Sequence, residues 1–122
     1  MATALVIEDN PDNMMLIKDI LEANGYSVLQ AETGLQGVDM AEQYLPDFII
    51  LDIQLPDILG DEVLVRIRKI ESTETIPVIA MTSYAMAGDR EKLLAAGCNG
   101  YIEKPIDVAT VTIQIKQIIG DI

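Results

Sequence analysis

The sequence predicts an α/β protein in which helices cover both faces of a doubly wound parallel sheet. Short apolar segments alternate with amphipathic helical segments along the chain, which is the pattern of repeated strand–helix units. The segment 48–51 is apolar at every position, as in a strand that is buried on both faces. Because the connections are short, we expect right-handed crossovers within a single domain that covers residues 1–122.

Five segments rich in apolar and β-branched residues are predicted to be strands. The second of them is the most polar, so we expect it at an edge of the sheet. The predicted strands cover residues 5–7, 27–31, 47–52, 77–81 and 101–102.

Five helices are predicted between and after these strands. Asn10 followed by Pro11 is typical of a helix start, and Asn24 followed by Gly25 is typical of a helix end. The predicted helices cover residues 11–24, 33–43, 61–70, 88–96 and 108–119. Arg66, Arg68 and Lys69 are expected to be mostly solvated, while the residues expected to face the core are Met14, Met15, Leu16, Ile17, Ile20, Leu21, Val38, Met40, Ala41, Leu45, Val63, Leu64, Ile67, Val111, Ile115, Ile118 and Ile119.

The charge of the chain disfavours a nucleic-acid partner. Its 122 residues include 20 Asp or Glu and 8 Lys or Arg, which gives a formal net charge of -12. This excess disfavours binding to nucleic acid or to an anionic membrane, and it suits a cation or a basic partner surface. The first residues lack the features of a signal peptide, and no apolar run is long enough to span a membrane. We therefore expect a cytoplasmic protein.

The absence of histidine removes several classes of enzyme. The chain has no His and a single cysteine, so Ser-His-Asp and Cys-His catalysis and most zinc sites are excluded. Cys98 has no cysteine with which to form an internal disulfide. It lies among small residues, and we interpret it as a buried structural thiol because nothing in the sequence would activate it.

Polar residues of complementary chemistry follow the predicted strands. Because the carboxyl ends of parallel strands form the ligand crevice of such a sheet, we expect these residues to meet there. They are Glu8 and Asp9 after the first strand, Asp52 at the end of the third, Thr82 and Ser83 after the fourth, and Lys104 after the fifth. Taken singly, each has an ordinary interpretation as a helix cap or a surface residue, but coincidence at four strand ends is improbable.

This set of residues favours phosphoryl transfer. Three neighbouring carboxylates repel one another, and Mg²⁺ suits a site that is formed by carboxylates together with carbonyl, water and phosphate oxygens. An ammonium and a hydroxyl group can bind oxygens of a phosphoryl group. Asp52 can itself act as a nucleophile and form an acyl phosphate.

On these residues the chain resembles the receiver domain of two-component response regulators over essentially its full length. The resemblance is carried by the strand-end residues, by the loop 55–60 and by Lys104 followed by Pro105. The opening 8–13 makes the chain similar to stand-alone receivers of the DivK type. The resemblance implies a flavodoxin-like fold with strand order 2-1-3-4-5, and a single receiver domain without an output domain on this chain.

The resemblance also implies how the acidic residues act. Asp52 is expected to accept a phosphoryl group from a histidine kinase or a phosphotransfer protein. Asp9, Asp52 and the backbone carbonyl of Gln54 are expected to bind Mg²⁺, with Glu8 acting through a metal-bound water. The side chain of Gln54 is expected to tune the lifetime of the phosphoryl group.

The remaining matched residues are expected to bind the phosphoryl group or to respond to it. Thr82 and Lys104 are expected to bind it, and Tyr101 is expected to turn inward as the switch residue. Tyr84 is expected to tune its lifetime. The peptide bond between Lys104 and Pro105 is expected to be cis.

The sequence therefore predicts a signalling switch that catalyses only its own phosphorylation and dephosphorylation. The resemblance implies that its output passes to a protein partner through helix 4, strand 5 and helix 5, and phosphorylation-dependent homodimerisation is left open. Three alternatives are a phosphorylation-independent interaction module, an Asp-nucleophile phosphohydrolase and a flavin-binding protein. A phosphohydrolase would have an acid at position 54, where this chain has Gln54, and Glu8 with Asp9 would repel the phosphate of a flavin cofactor.

Overall fold

A computed structural model describes residues 2–83 and 87–120, and residues 87–89 are described without their side chains. Five parallel strands form one sheet in the order β2-β1-β3-β4-β5, which confirms the predicted fold and strand order. Within the described residues, no helix is long and apolar enough to cross a bilayer. In chain order the elements are β1 (Thr3–Ile7), α1 (Pro11–Ala23), β2 (Ser27–Ala31), α2 (Gly34–Tyr44), β3 (Phe48–Asp52), α3 (Gly60–Lys69), β4 (Val78–Thr82), α4 (Ala87–Ala96), β5 (Gly100–Glu103) and α5 (Val111–Ile119).

The sheet separates two apolar cores because successive side chains of a strand point to opposite faces. In β1, Leu5 and Ile7 pack in the core beneath α2, α3 and α4, which also contains Leu93. Ala4 and Val6 pack in the core beneath α1 and α5. Both faces of the central strands are therefore apolar, as the continuous apolar run in the sequence predicts.

The central strand β3 positions the carboxylate at its end. Every residue of β3 is buried, and its neighbours are β1 and β4. The chain then turns sharply, and the Gly60 N–H donates to the carbonyl of Ile53 at 2.9 Å. A Cβ on Gly60 would lie 2.7 Å from the Ile53 Cα, so this close approach of two backbone segments requires glycine.

The predicted apolar faces of α1 and α2 were too wide. Met14, Ile17 and Leu21 are the residues of α1 that are buried, whereas Met15 and Leu16 are 64% and 37% exposed. Met15 and Leu16 are the next two residues after Met14, so they lie about 100° and about 200° further round the helix and turn away from the sheet. Leu45 was also wrongly placed in the core: it is 52% exposed, and its left-handed backbone (φ 47°) ends α2.

The last helix starts three residues later than predicted, at Val111 rather than Val108. The carboxylate of Asp107 accepts from the Ala109 N–H at 3.0 Å, and its carbonyl accepts from the Val111 N–H at 2.9 Å. This local turn leaves Val108 59% exposed. Val111 is buried as predicted. Ile118 and Ile119, which were also predicted to face the core, are partly buried against it.

Arg68 was wrongly predicted to be solvated. Its partly buried guanidinium is a hub at the amino-terminal edge of the sheet, where it joins the end of α3, the turn before β4 and the turn after α4. Burial lowers the pKa of Arg68, but the guanidinium stays protonated and positively charged at neutral pH. It donates five hydrogen bonds, to the carbonyls of Gly97 (3.0 Å), Thr73 (3.4 Å), Glu74 (3.1 Å) and Ile76 (2.7 Å) and to Asn99 Oδ1 (2.8 Å).

Cys98 lies beside this hub and is buried, as predicted. Burial raises the pKa of its thiol, although a backbone hydrogen bond from Gly100 and the charge of Arg68 partly oppose the shift. The thiol therefore stays protonated at neutral pH, which fits a structural residue and not a nucleophile.

We predict that Arg68→Met lowers the free energy of unfolding by about 2–4 kcal/mol, because it removes the donor from three partly buried carbonyls, those of Gly97, Thr73 and Ile76. Urea denaturation followed by circular dichroism measures this loss. Arg66→Met is the matched control on the same helix, since the Arg66–Glu62 ion pair is long (3.7 Å) and both side chains are about half exposed (47% and 48%). The control should lose less than about 0.5 kcal/mol, and equal losses in the two variants would contradict the hub role.

Candidate functional site

The strand register brings the predicted site residues together at the carboxyl edge of the sheet. Ile7 of β1 pairs with Leu51 of β3, so Glu8 and Asp52 follow side by side. Asp52 in turn pairs with Met81 of β4, which places Thr82 next along that edge.

Three carboxylates form the acidic part of the site. Glu8, Asp9 and Asp52 each contribute a carboxylate oxygen, and these oxygens lie within 4.8 Å of one another. Glu8 is 2% exposed and Asp52 is 6% exposed, while Asp9 is exposed at the rim. The arrangement is thus a pocket with two buried acids at its base and one acid that can meet a ligand from solvent.

Lys104 offsets part of this negative charge. Its Nζ lies 3.1 Å from Glu8 Oε1 and 3.2 Å from Asp52 Oδ1. The backbone of Lys104 is fixed because its N–H donates to the carbonyl of Thr82 at 2.8 Å. The peptide bond between Lys104 and Pro105 is cis.

The pKa of Glu8 is raised to about 7. Burial is the main cause, and the neighbouring Asp52 raises it further through a hydrogen bond and its charge, whereas Lys104 opposes the shift. For Lys104, burial alone would lower the pKa, but the charges of Asp52 and Glu8 outweigh it and the pKa is raised. Lys104 therefore stays protonated at neutral pH.

Two further predicted residues lie at the pocket, and a third lies on the neighbouring strand β5. Thr82 ends β4 and is 4% exposed. The backbone N–H of Gln54 donates to Asp52 Oδ1 at 3.2 Å, which orients the carboxylate. Tyr101 lies on β5 and is partly buried against the core beneath α4. Tyr84 falls outside the described residues.

Two residues near the site were missed by the sequence analysis. The carboxylate of Asp57 accepts from the N–H groups of Gly34 and Leu35, each at 2.8 Å, and so fastens the loop after β3 to the start of α2. These hydrogen bonds lower the pKa of Asp57, and the one from Leu35 has the largest effect. The guanidinium of Arg90 lies over the ring of Tyr101, 4.3 Å from its centroid. Both contacts join distant parts of the chain, and no local pattern indicates them.

The donor set of the pocket fits a small divalent cation. Carboxylate oxygens are hard ligands of the kind that Mg²⁺ prefers, and Mg²⁺ characteristically uses few protein ligands and keeps several waters. The exposed carboxylate of Asp9 leaves room for such waters, and a cation would relieve the repulsion among the three acids.

Comparison with known proteins identifies the family. The model of the response regulator receiver domain matches residues 4–116. The polar-differentiation response regulator DivK of Brucella abortus is 42% identical over 119 residues, which are 98% of this chain and 97% of that protein.

Solved structures agree with this match. The receiver domain of the sensor histidine kinase PA1611 of Pseudomonas aeruginosa, solved with a magnesium ion in its active-site cleft, is 37% identical with a TM-score of 0.89 and 98% coverage of both chains. The chemotaxis protein CheY4 of Vibrio cholerae is 23% identical with a TM-score of 0.92, and the match covers 97% of this chain and 98% of that one, which shows the shared fold. The chain therefore belongs to the response regulator receiver domain family of two-component signalling systems.

Proposed function

We propose that this receiver domain is a phosphorylation-dependent switch in which Asp52 accepts a phosphoryl group from a histidine kinase or a phosphotransfer protein. The observation that carries the proposal is the position of Asp52. Its carboxylate is buried at the end of the central strand, and one of its oxygens lies 3.2 Å from the ammonium of Lys104. A buried carboxylate with acids and a cation around it suits the chemistry of an acyl phosphate better than a structural role.

In the proposed reaction a carboxylate oxygen of Asp52 forms a bond to phosphorus. The bond from phosphorus to the donor's imidazole nitrogen breaks, and its electron pair returns to that nitrogen. The Gln54 N–H and the Lys104 ammonium both hold Oδ1 of Asp52, so the second carboxylate oxygen, Oδ2, is the one that we assign as the nucleophile. Orienting the carboxylate in this way lowers the entropic part of the barrier.

We propose that Mg²⁺ binds beside the phosphoacceptor. Asp9, Asp52 and the backbone carbonyl of Gln54 would hold the ion, with Glu8 acting through a metal-bound water. A bound Mg²⁺ supplies positive charge against the phosphoryl oxygens. The PA1611 receiver domain supports this assignment, because its magnesium ion lies in the active-site cleft.

Thr82 and Lys104 are proposed to bind the transferred phosphoryl group. Both lie at the pocket, since Thr82 ends β4 and Lys104 contacts Asp52. A phosphoryl group on Asp52 adds negative charge and acceptor oxygens, which attract the ammonium and a hydroxyl donor. Drawing Thr82 toward this group would open space for Tyr101 to turn inward. Phosphorylation would in this way shift an equilibrium between two arrangements of the domain.

The output is proposed to pass to a protein partner through the surface formed by α4, β5 and α5. Tyr101 of β5 is the residue that would change that surface, because it is only partly buried and contacts Arg90 of α4. A homodimer that forms on phosphorylation is the alternative use of the same surface. The only covalent chemistry in this proposal is the domain's own phosphorylation and dephosphorylation.

We predict that Mg²⁺ stabilises the folded protein through the acidic pocket. At ten times its dissociation constant the ion should raise the free energy of unfolding by about 1.4 kcal/mol, as measured by urea denaturation with and without MgCl₂. Asp9→Asn should lose most of this gain. Asp12→Asn, which removes the same charge from an exposed position in the first turn of α1, should keep it. Equal stabilisation of the two variants would place the ion elsewhere.

We predict that incubation with acetyl phosphate and Mg²⁺ adds one phosphoryl group, as measured by intact-mass spectrometry. Asp52→Asn and the addition of EDTA should each abolish the gain. Asp61→Asn should retain it, because Asp61 lies in the first turn of α3 and pairs with Lys92 rather than with the pocket. A wild-type protein that stays unmodified, or an Asp52→Asn protein that is still modified, would refute the assignment of Asp52.

A further inference from the structure

A cation–π contact connects α4 to β5 at the proposed switch residue. The guanidinium carbon of Arg90 lies 4.3 Å from the centroid of the Tyr101 ring, well within the range of an attractive interaction. Arg90 itself is exposed and Tyr101 is partly buried. The ring is thus held between the core beneath α4 and a cation on the surface.

The other described contacts of α4 lie further along the helix. Among the side chains of α4 that the structure describes, Leu93 is the buried one, and Lys92 makes a long ion pair with Asp61 at 3.6 Å. The Gly97 carbonyl just after the helix accepts from Arg68. The Lys92 and Gly97 contacts do not involve the Tyr101 ring, whereas the Arg90 contact does.

We propose that Arg90 is a positioning residue that holds Tyr101 in the arrangement seen here and so opposes the switch. Any rotation that carries the ring inward, away from α4, breaks the contact with Arg90. The contact therefore stabilises this arrangement relative to the rotated one. Phosphorylation must supply the additional free energy that is needed to break the contact. This inference rests on the proposed function, in which phosphorylation moves Tyr101.

The expected size of the effect follows from linkage. A cation–π contact at an exposed site changes an equilibrium by about two- to fivefold. Removal of Arg90 should favour the rotated arrangement by that factor. A ligand that binds only the rotated arrangement then gains affinity by up to the same factor, provided that the rotated arrangement is the minor one. The affinity for a phosphoryl mimic that binds in the pocket should therefore change when Arg90, which lies outside the pocket, is substituted.

The test measures the affinity of the unphosphorylated protein for beryllofluoride, a phosphoryl mimic, with Mg²⁺ in excess. Arg90→Met should bind about two- to fivefold more tightly than the wild type, and Arg90→Lys, which keeps a cation, should fall between them. Lys92→Met is the matched control, since it removes the same charge from the same helix at a side chain that is 71% exposed. Its affinity should stay at the wild-type value.

A double-mutant cycle and an NMR measurement separate positioning from a general effect on the helix. In a Tyr101→Leu background, Arg90→Met should no longer change the affinity for beryllofluoride. In the wild-type background, the same substitution should move the Tyr101 ring signals toward their positions in the beryllofluoride complex. An unchanged affinity in Arg90→Met, or an equal gain in Lys92→Met, would overturn the inference while leaving Asp52 as phosphoacceptor. A wild-type protein that binds no beryllofluoride would overturn the switch itself.

Discussion

The site depends on the balance between two buried carboxylates and one ammonium. Glu8 and Asp52 are almost fully buried next to each other, and Lys104 contacts both within 3.2 Å. Burial and mutual repulsion make this pair of acids unfavourable without a cation. The pKa of Glu8 is raised to about 7 because burial and the neighbouring Asp52 together outweigh the attraction of Lys104. The pocket is therefore prepared for additional positive charge, which is the property that a cation site beside a phosphoacceptor needs.

The sheet maintains this unfavourable arrangement through its apolar strands. β3 is buried along its whole length and pairs on both sides, so the backbone that carries Asp52 cannot move away from Glu8 without disturbing the pairing of β3 with β1 and β4. The loops after the strands are fastened separately. Asp57 ties the loop after β3 to α2, and the Lys104 N–H ties the loop after β5 to Thr82. Stability of the scaffold thus compensates for electrostatic strain in the pocket.

Local patterns were sufficient to predict the strands and the meeting of the strand-end residues, whereas the strand order was implied by the resemblance to receiver domains. The apolar run at 48–51 and the rule for carboxyl ends of parallel strands depend only on sequence neighbours. Arg68 could not be predicted, because its acceptors lie up to 31 positions away and its charge resembles that of the solvated Arg66. Met15 and Leu16 were misplaced because an apolar run does not show where the buried face ends. The Arg90 contact depends on the position of α4 over β5, which helix periodicity does not specify.

The short strand β5 joins the pocket to the surface that we propose for output. Tyr101 lies on this strand, and Lys104 follows directly after it. A phosphoryl group on Asp52 would change the charges around Lys104, which is already shared between Glu8 and Asp52. Because β5 is an edge strand whose one partner within residues 2–83 and 87–120 is β4, it can adjust at a lower cost than β3. The rigid central strand therefore suits the proposed phosphorylation of Asp52. The edge strand, with Tyr101 and its partner Arg90, suits the proposed change of the output surface.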